Sequence, residues 1–525
     1  MNLRSDISKA MDWFPGALSG LMLTLAFPEP GIGWIAWISL TPLIISLRTL
    51  GPRQAFIAGL ACGLVHYLTL IYWIVPTIHQ YGGLPLVLAV PTLAVLCLYL
   101  ALYTGCFALA VSTLKPSALM PLKAAALWTG LEFIRSWMLT GFPWGLAGYS
   151  QYRNLCMIQI ADITGVYGVS FLIVLSGCTL SLFWPGLPEF CTPGKRQGRT
   201  SALASLILAL ALGTSFWYGT WRLGTLKQDM LLADTARISV VQGNIEQAVK
   251  WEASFQETTV QTYCSLSRTT FPENPDLIIW PETSLPFYYS WDRKLSDTVD
   301  ACVREGRTWF LFGSPAFEGK EPDYRIFNRA YMLNRFSIVT GTYDKIHLVP
   351  FGEYVPFGNC MGFLGKLTEQ TGDFSPGPGK VTPLHAGKTS VGVLICFEII
   401  FASLARDHVA MGSNLLVTLT NDAWFGRTSA PMQHFSLAVF RAVENRRSVA
   451  RAANTGISGF IDPTGRILGT TDLFTATALT QTLPCMKNHS PYTTLGDAFA
   501  LLCLAASVLI LLAGGVGAWG KKGRP

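Results

Sequence analysis

Charged residues are scarce in this chain of 525 residues. Asp, Glu, Lys and Arg together make up 14% of it, whereas hydrophobic residues make up 50%. Soluble proteins usually carry about 25% charged residues. The composition therefore argues against an ordinary soluble protein and indicates one that is embedded in a membrane.

The usual signatures of metal and nucleotide sites are also missing. The twelve cysteines show no CxxC or paired spacing, and no His-Glu-x-x-His occurs. Gly387-Lys388-Thr389 resembles the end of a phosphate-binding loop, but Thr382 stands where that loop needs its first glycine. We therefore expect no metal, no cofactor and no dense disulfide framework.

Long apolar runs, by contrast, fill most of the first 218 residues and recur near the end. A helix of about 20 apolar residues is long enough to cross a bilayer. We predict eight spans, at 13–28, 32–47, 55–76, 85–113, 119–140, 164–184, 201–218 and 497–519. The first run could instead be a secretory signal, but no small-residue cleavage site follows it.

Basic residues mark one side of these predicted spans. They are Arg4, Lys9, Arg48, Arg53, Lys115, Lys123, Lys195, Arg196, Arg199, Lys521, Lys522 and Arg524, whereas the opposite short loops hold only Arg153. Because basic loops stay in the cytoplasm, we predict that both termini are cytoplasmic and that segment 219–496 lies outside. The positive net charge therefore reflects membrane orientation and does not indicate nucleic-acid binding.

This gives a predicted membrane domain at 1–218 with seven transmembrane helices, an outer domain at 219–496, an eighth helix at 497–519 and a basic tail at 520–525. Short β-rich runs alternate with helical stretches in the outer domain, which predicts an α/β fold. The predicted strands are Ile238–Gln242, Leu277–Trp280, Trp309–Gly313, Ala330–Asn334, Val391–Cys396, Leu415–Thr420 and Gly459–Asp462.

Three reactive side chains stand at or near the ends of apolar runs, where α/β folds commonly place functional groups. Glu282 follows Leu-Ile-Ile-Trp-Pro, Lys345 lies in Tyr-Asp-Lys-Ile-His, and Cys396 closes Val-Gly-Val-Leu-Ile-Cys. A carboxylate can take the proton of a thiol, and an ammonium can stabilise the oxyanion that forms after attack. Each also has a simpler explanation: a packed cysteine, a helix-capping glutamate and a solvated lysine.

The surrounding motifs resemble the nitrilase superfamily. They are Trp280-Pro281-Glu282, the segment DKIHLVPFGE at 344–353, and Ile395-Cys396-Phe397-Glu398, in the superfamily's order. Together with the predicted spans, the whole chain is similar to the membrane-bound branch of that superfamily, the apolipoprotein N-acyltransferases of Gram-negative bacteria.

The resemblance implies an αββα sandwich that carries a catalytic triad. In it, Glu282 would be the general base, Lys345 would stabilise the oxyanion, and Cys396 would be the nucleophile. The backbone N–H of Phe397 would be a second oxyanion donor. Acyltransferases of this branch often have Tyr at that position, so any role that needs a hydroxyl there is in doubt.

Further positions match the region that lines the substrate pocket in this family. They are Trp251, Glu353, Glu398, Asn421 and Trp424. We expect all five near the triad.

The resemblance implies that an acyl chain passes from a membrane phospholipid to a Cys thioester and then to the amino terminus of a diacylglyceryl apolipoprotein. We expect a monomer in the inner membrane of a bacterium, with its catalytic domain in the periplasm. A membrane-tethered amidase that hydrolyses a small substrate is the alternative, but one helix would suffice to tether it. A transporter would need ionisable residues in several spans, and here the spans hold little beyond His66, Glu132 and Arg135.

Overall fold

The computed structural model describes residues 12–114, 117–184, 195–319, 324–354 and 374–522. Arg4, Lys9, Lys115 and Arg524, which belong to the predicted basic flanks, lie outside these residues. The chain forms two compact units. The first comprises the described residues of 1–72, 90–222 and 497–525, and the second comprises Trp73–Ala89 and Leu223–Gly496.

Helices cover most of the first unit. The α-helices of the described chain up to residue 232 are α1 (Phe14–Leu25), α2 (Ala36–Ser39), α3 (Thr41–Ser46), α4 (Pro52–Leu70), α5 (Ile74–Pro76), α6 (Leu86–Ser112), α7 (Met120–Arg135), α8 (Leu155–Ile158), α9 (Ala161–Thr164), α10 (Val166–Ser181) and α11 (Lys195–Leu232). The second unit adds α12 (Ala253–Thr270), α13 (Arg293–Gly306), α14 (Ala402–Ala410), α15 (Ala430–Asn445) and α16 (Pro491–Leu495), and the chain ends with α17 (Ala498–Lys522).

Only some of these helices meet the requirements of a complete span. Within the described chain, Leu86–Ser112 and Gly198–Leu232 are long and apolar enough by themselves. Two bent pairs also qualify if each counts as one span: Pro52–Leu70 with Ile74–Tyr81, bent by 55°, and Leu155–Thr164 with Val166–Ser181, bent by 120°. The structure thus supports membrane helices, two to four of them, while the count of eight remains a prediction.

Small residues let α1 and α4 approach closely. A Cβ atom added to Gly16 would lie 2.0 Å from the carbonyl oxygen of Ala58, and one added to Gly20 would lie 2.1 Å from that of Cys62. Close backbone contact of this kind is how helices pack in a bilayer, where apolar side chains gain little by leaving lipid. Any larger residue at either glycine would force the two helices apart.

The second unit is a sandwich of two six-stranded sheets. The first has the order β12-β1-β2-β3-β4-β5, with strands Thr477–Cys485, Asp234–Gln242, Leu277–Ile279, Trp309–Glu318, Arg325–Leu333 and Val339–Asp344. The second has the order β11-β10-β9-β8-β7-β6, with strands Ile467–Thr470, Gly459–Ile461, Ser448–Ala453, Leu415–Thr420, Thr389–Ile395 and Leu384–Ala386. The centre of each sheet is parallel: β1, β2 and β3 in one and β7, β8 and β9 in the other.

Alternating side chains place the core between the two sheets. Leu277 and Ile279 of β2 face this core together with Val393 and Ile395 of β7. Ile278, the residue between the first two, points to the other face, as the two-residue period of a strand requires. There it packs with side chains of α12 and α13, while α14 and α15 pack on the second sheet. These layers are helix, sheet, sheet, helix, so the predicted αββα sandwich is confirmed for this unit.

Candidate active site

The carboxyl ends of the parallel strands gather the predicted site residues. Glu282 follows β2 after Trp280 and Pro281, Cys396 follows β7 directly, and Asn421 follows β8. Lys345 follows β5, and its backbone N–H donates to the carbonyl oxygen of Asn328 at 2.9 Å. Side chains at these ends meet at one edge of the sandwich.

Glu282, Lys345 and Glu353 form one buried ionic cluster. The Lys345 Nζ lies 3.3 Å from Glu282 Oε1 and 3.0 Å from Glu353 Oε1. The Asn328 Nδ2 donates to the same two oxygens, at 2.8 and 3.1 Å. Asn421 closes the cluster by donating its backbone N–H to Glu282 Oε2 at 3.0 Å. Each carboxylate therefore has a fixed orientation.

Lys345 stays charged in this setting. Burial lowers the pKa of its ammonium group, but the carboxylates of Glu282 and Glu353 outweigh that effect and raise the pKa above its ordinary value. The side chain is only 1% exposed. A permanent, water-shielded cation is the group that best stabilises a developing oxyanion.

Cys396 occupies a sharp corner between β7 and a short 3-10 helix at Cys396–Ile400. Its φ of 53° lies in the left-handed region, which is uncommon for a residue other than glycine and is often found at functional sites. Burial raises the pKa of its thiol, the Glu282 carboxylate raises it further, and the Lys345 ammonium opposes both. Cys396 is thus a thiol at rest, and it would need a base in order to act as a nucleophile.

The other described cysteines of this unit are sealed in the core. Cys264, Cys302 and Cys485 are buried, whereas Cys396 is half-buried. Cys360 lies outside the described residues. Among the described thiols of the sandwich, Cys396 is accordingly the one that a substrate can reach.

Glu398 links the lysine segment to the cysteine strand. It is fully buried, and its Oε1 accepts the backbone N–H groups of Ile346 at 2.7 Å and His347 at 3.0 Å. Its Oε2 accepts the N–H of Ile395 at 2.7 Å, and the Tyr343 hydroxyl donates to the same carboxylate at 3.0 Å. Burial raises the pKa of Glu398 to about 7. The family resemblance predicts that Glu398 lines the pocket. Its contacts in the described chain hold the residues beside Lys345 and Cys396.

The remaining predicted pocket residues lie on two loops of the second unit. Trp251 is half-buried in the turn before α12. Asn421 is buried, and its Nδ2 donates to Gln247 Oε1 at 2.7 Å. Trp424 is half-buried, and its ring lies 5.5 Å from that of Tyr81. These aromatic rings provide apolar contact surface on the loops that follow the strand ends.

Two groups in the site were not among the predicted residues. Asn328 stands within β4, and a polar side chain among the buried residues of a strand is the signal that could have revealed it. Lys250 is buried, and its Nζ donates to the backbone carbonyl of Glu282 at 3.4 Å. Burial lowers the pKa of Lys250 to about 8, although Glu282 and Cys396 act in the opposite direction.

Two family models match the chain. The model described as the N-terminal domain of apolipoprotein N-acyltransferase matches residues 19–179. The model described as carbon-nitrogen hydrolase matches residues 237–485, which is most of the sandwich.

Curated relatives match along nearly the whole length. An apolipoprotein N-acyltransferase of Geobacter metallireducens is 42% identical over 508 residues, which cover 96% of this chain and 95% of that protein. One of Pasteurella multocida is 31% identical over 522 residues, which cover 98% of this chain and 97% of that protein. Among solved structures, a Nesterenkonia AN1 amidase of the nitrilase superfamily is 19% identical, with a TM-score of 0.38, and the match covers 50% of this chain and 94% of the amidase.

Proposed function

Because the chain belongs to the apolipoprotein N-acyltransferase family and is an acyltransferase, we propose that it carries the acyl group as a thioester on Cys396. The observation that supports this most is the convergence on one site of a carboxylate, a permanent ammonium and a protonated thiol, at Glu282, Lys345 and Cys396. Such a set supplies a base, an oxyanion partner and a nucleophile.

In the first half-reaction, Glu282 takes the proton of the Cys396 thiol while the sulfur attacks the ester carbonyl of a phospholipid. The Lys345 ammonium and the Phe397 N–H stabilise the tetrahedral oxyanion. When this intermediate collapses, the ester C–O bond breaks and Glu282 returns the proton to the departing glycerol oxygen. A lysophospholipid leaves, and the acyl chain remains on the sulfur.

In the second half-reaction, the amino group of a diacylglyceryl-cysteine at the N-terminus of an apolipoprotein attacks the thioester. Glu282 accepts a proton from that amine, an amide bond forms, and the C–S bond breaks. The proton then returns from Glu282 to the Cys396 thiolate. Since both substrates use one site in turn, the kinetics are ping-pong.

The membrane arrangement that serves this reaction has eight spans, with segment 219–496 in the periplasm and both termini in the cytoplasm of a bacterial inner membrane. Its support is the alternation of basic and neutral loops, together with two to four helices able to cross a bilayer in the described chain. This placement gives a monomer access to phospholipid and to the lipid-bearing acceptor in the same leaflet.

A membrane-tethered amidase acting on a small substrate is the alternative. It would turn over a soluble amide in detergent without lipid, and water would be its second substrate. The relatives that match over nearly the whole chain carry the acyltransferase name, which favours the transfer reaction.

Labelled phospholipid tests the proposal directly. Incubation of purified protein with phospholipid that carries a labelled acyl chain should label the wild type and leave Cys396→Ala unlabelled. Glu282→Ala should be labelled at least about 100-fold more slowly, because a general base contributes about 10² to 10⁴ in rate. Cys264→Ala removes a buried thiol from α12 and is the matched control. Normal labelling of Cys396→Ala would rule out the mechanism.

A further inference from the structure

A buried cluster of three ionisable side chains lies directly behind the nucleophile. Asp422, His434 and Arg451 are each at most 1% exposed. An Arg451 guanidinium nitrogen lies 2.7 Å from Asp422 Oδ2 and 2.9 Å from His434 Nδ1, and Asp422 Oδ1 lies 3.1 Å from that same ring nitrogen. The opposite ring nitrogen, His434 Nε2, lies 3.2 Å from the backbone carbonyl oxygen of Cys396.

The neighbours of His434 determine which ring nitrogen carries a proton. If only Nδ1 is protonated, its N–H can donate to Asp422 but faces the N–H donor of Arg451. The unprotonated Nε2 then presents a lone pair to the Cys396 carbonyl oxygen, so one of the three contacts is satisfied. If only Nε2 is protonated, Nδ1 accepts from Arg451 and Nε2 donates to that oxygen. If both are protonated, Nδ1 donates to Asp422 and Nε2 still donates. Each arrangement that satisfies two of the three contacts therefore has an Nε2–H bonded to Cys396.

Burial and the nearby Arg451 guanidinium lower the pKa of His434, while Asp422 opposes them. The neutral ring with a proton on Nε2 is consequently the resting form. Its bond to Cys396 is retained if the ring gains a second proton. The contact is thus a permanent feature of the site.

The carbonyl of Cys396 belongs to the same peptide group as the N–H of Phe397. A peptide group is planar and trans, so fixing its oxygen also fixes the direction of its N–H on the opposite side. A hydrogen bond accepted by the oxygen also polarises the group and strengthens its N–H as a donor. Phe397 is the second residue of the 3-10 helix at Cys396–Ile400, and the first N–H groups of a helix have no acceptor within that helix.

We propose that His434 is a positioning residue that aims the Phe397 N–H at the oxyanion by holding the Cys396 carbonyl. Asp422 and Arg451 hold the ring that makes this bond. The inference rests on the proposed thioester mechanism and adds a group that acts on it through the peptide bond.

Replacing His434 by Leu or by Gln tests the inference. Leu removes the donor, whereas the side-chain amide of Gln places an N–H near the position of Nε2. We expect His434→Leu to form the Cys396 thioester at least about tenfold more slowly, since losing an oxyanion donor outright costs about 10² to 10³. His434→Gln should recover most of that rate. Ser436→Ala, a buried substitution on the same helix, is the control and should keep the wild-type rate.

Infrared difference spectra of the acyl-enzyme separate positioning from simple folding support. With a ¹³C-labelled acyl carbonyl, the thioester band should move to higher wavenumber in His434→Leu, because its oxygen loses a hydrogen bond, and return in His434→Gln. If His434→Leu does not fold, His434→Met replaces it as the variant without a donor. An unchanged rate and band, or equal losses in the Leu and Gln variants without a band shift, would overturn the inference. Absence of a thioester in the wild type would instead refute the proposed function.

Discussion

Lys250 provides a test of whether a buried charge in this site lowers the stability of the protein while it increases the rate of the reaction. Its ammonium is enclosed, and its only described hydrogen bond is the 3.4 Å contact with the carbonyl of Glu282. Burial lowers its pKa from 10.5 to about 8. Replacing Lys250 by Met keeps most of the volume and removes the charge. We expect the protein to become more stable and the enzyme to become slower.

The gain in stability follows from the lowered pKa. At about 1.4 kcal/mol for each pH unit between the two pKa values, the buried ammonium costs about 3 kcal/mol below pH 8. Between pH 8 and 10.5 the unfolded chain binds more protons than the folded one, so the stability of the wild type rises with pH and the cost disappears. The advantage of Lys250→Met should be complete at pH 7 and nearly absent at pH 10.5.

Unfolding of the purified protein in detergent, followed at both pH values, measures this difference. Lys294→Met is the control, because Lys294 is exposed and pairs with Glu257 at the surface, where such pairs contribute at most about 1 kcal/mol. The labelling assay gives the functional side: loss of a positive charge beside Cys396 should slow thioester formation. The reasoning would be refuted if Lys250→Met were no more stable than the wild type at pH 7. It would also be refuted if the variant's gain in stability over the wild type were as large at pH 10.5 as at pH 7.

Two further predictions concern other residues of this site. Asn328→Leu removes the amide shared by Glu282 and Glu353, so single-turnover acylation should fall by about 10- to 100-fold, as expected for one or two lost buried hydrogen bonds; an unchanged rate would show that the amide orients neither carboxylate. Because burial raises the pKa of Cys396, its alkylation by iodoacetamide should accelerate steadily from pH 7 to pH 9. A flat profile would mean that the thiolate is already formed at neutral pH.

Two of the three strands that precede residues of the proposed triad, β2 and β7, could be predicted from the sequence because their signals are local, and so could β8, which precedes Asn421. The third, β5, which precedes Lys345, was not predicted. β2, β7 and β8 are short apolar runs that end at polar residues. The prediction missed β5, β6, β9, β11 and β12. β12 reads TALTQTLPC and gains its stability by pairing with β1, from Asp234↔Cys485 to Gln242↔Thr477, and such a distant partner is invisible in a local pattern.

The same limit applies to the contacts that complete the site. Asn328, Lys250 and His434 come from different elements, and none of them was predicted as a site residue from the sequence. Their roles depend on distances that only the folded sandwich defines.

The prediction of membrane spans is limited because hydropathy does not show where a helix bends. Hydropathy predicted one span at 55–76, whereas the chain bends by 55° between Pro52–Leu70 and Ile74–Tyr81. An apolar run shows where a chain can enter a bilayer, but a break in the helix depends on packing that composition does not record.

Mass spectrometry of the Cys396 peptide tests the central claim most directly. After incubation with phospholipid of a single acyl composition, the peptide should gain the mass of that acyl group. Neutral hydroxylamine should remove this mass from one sample, and a diacylglyceryl-cysteine peptide should remove it from a second sample. Formation of the N-acylated product with Cys396 unmodified, or with the acyl group on another residue, would contradict the account.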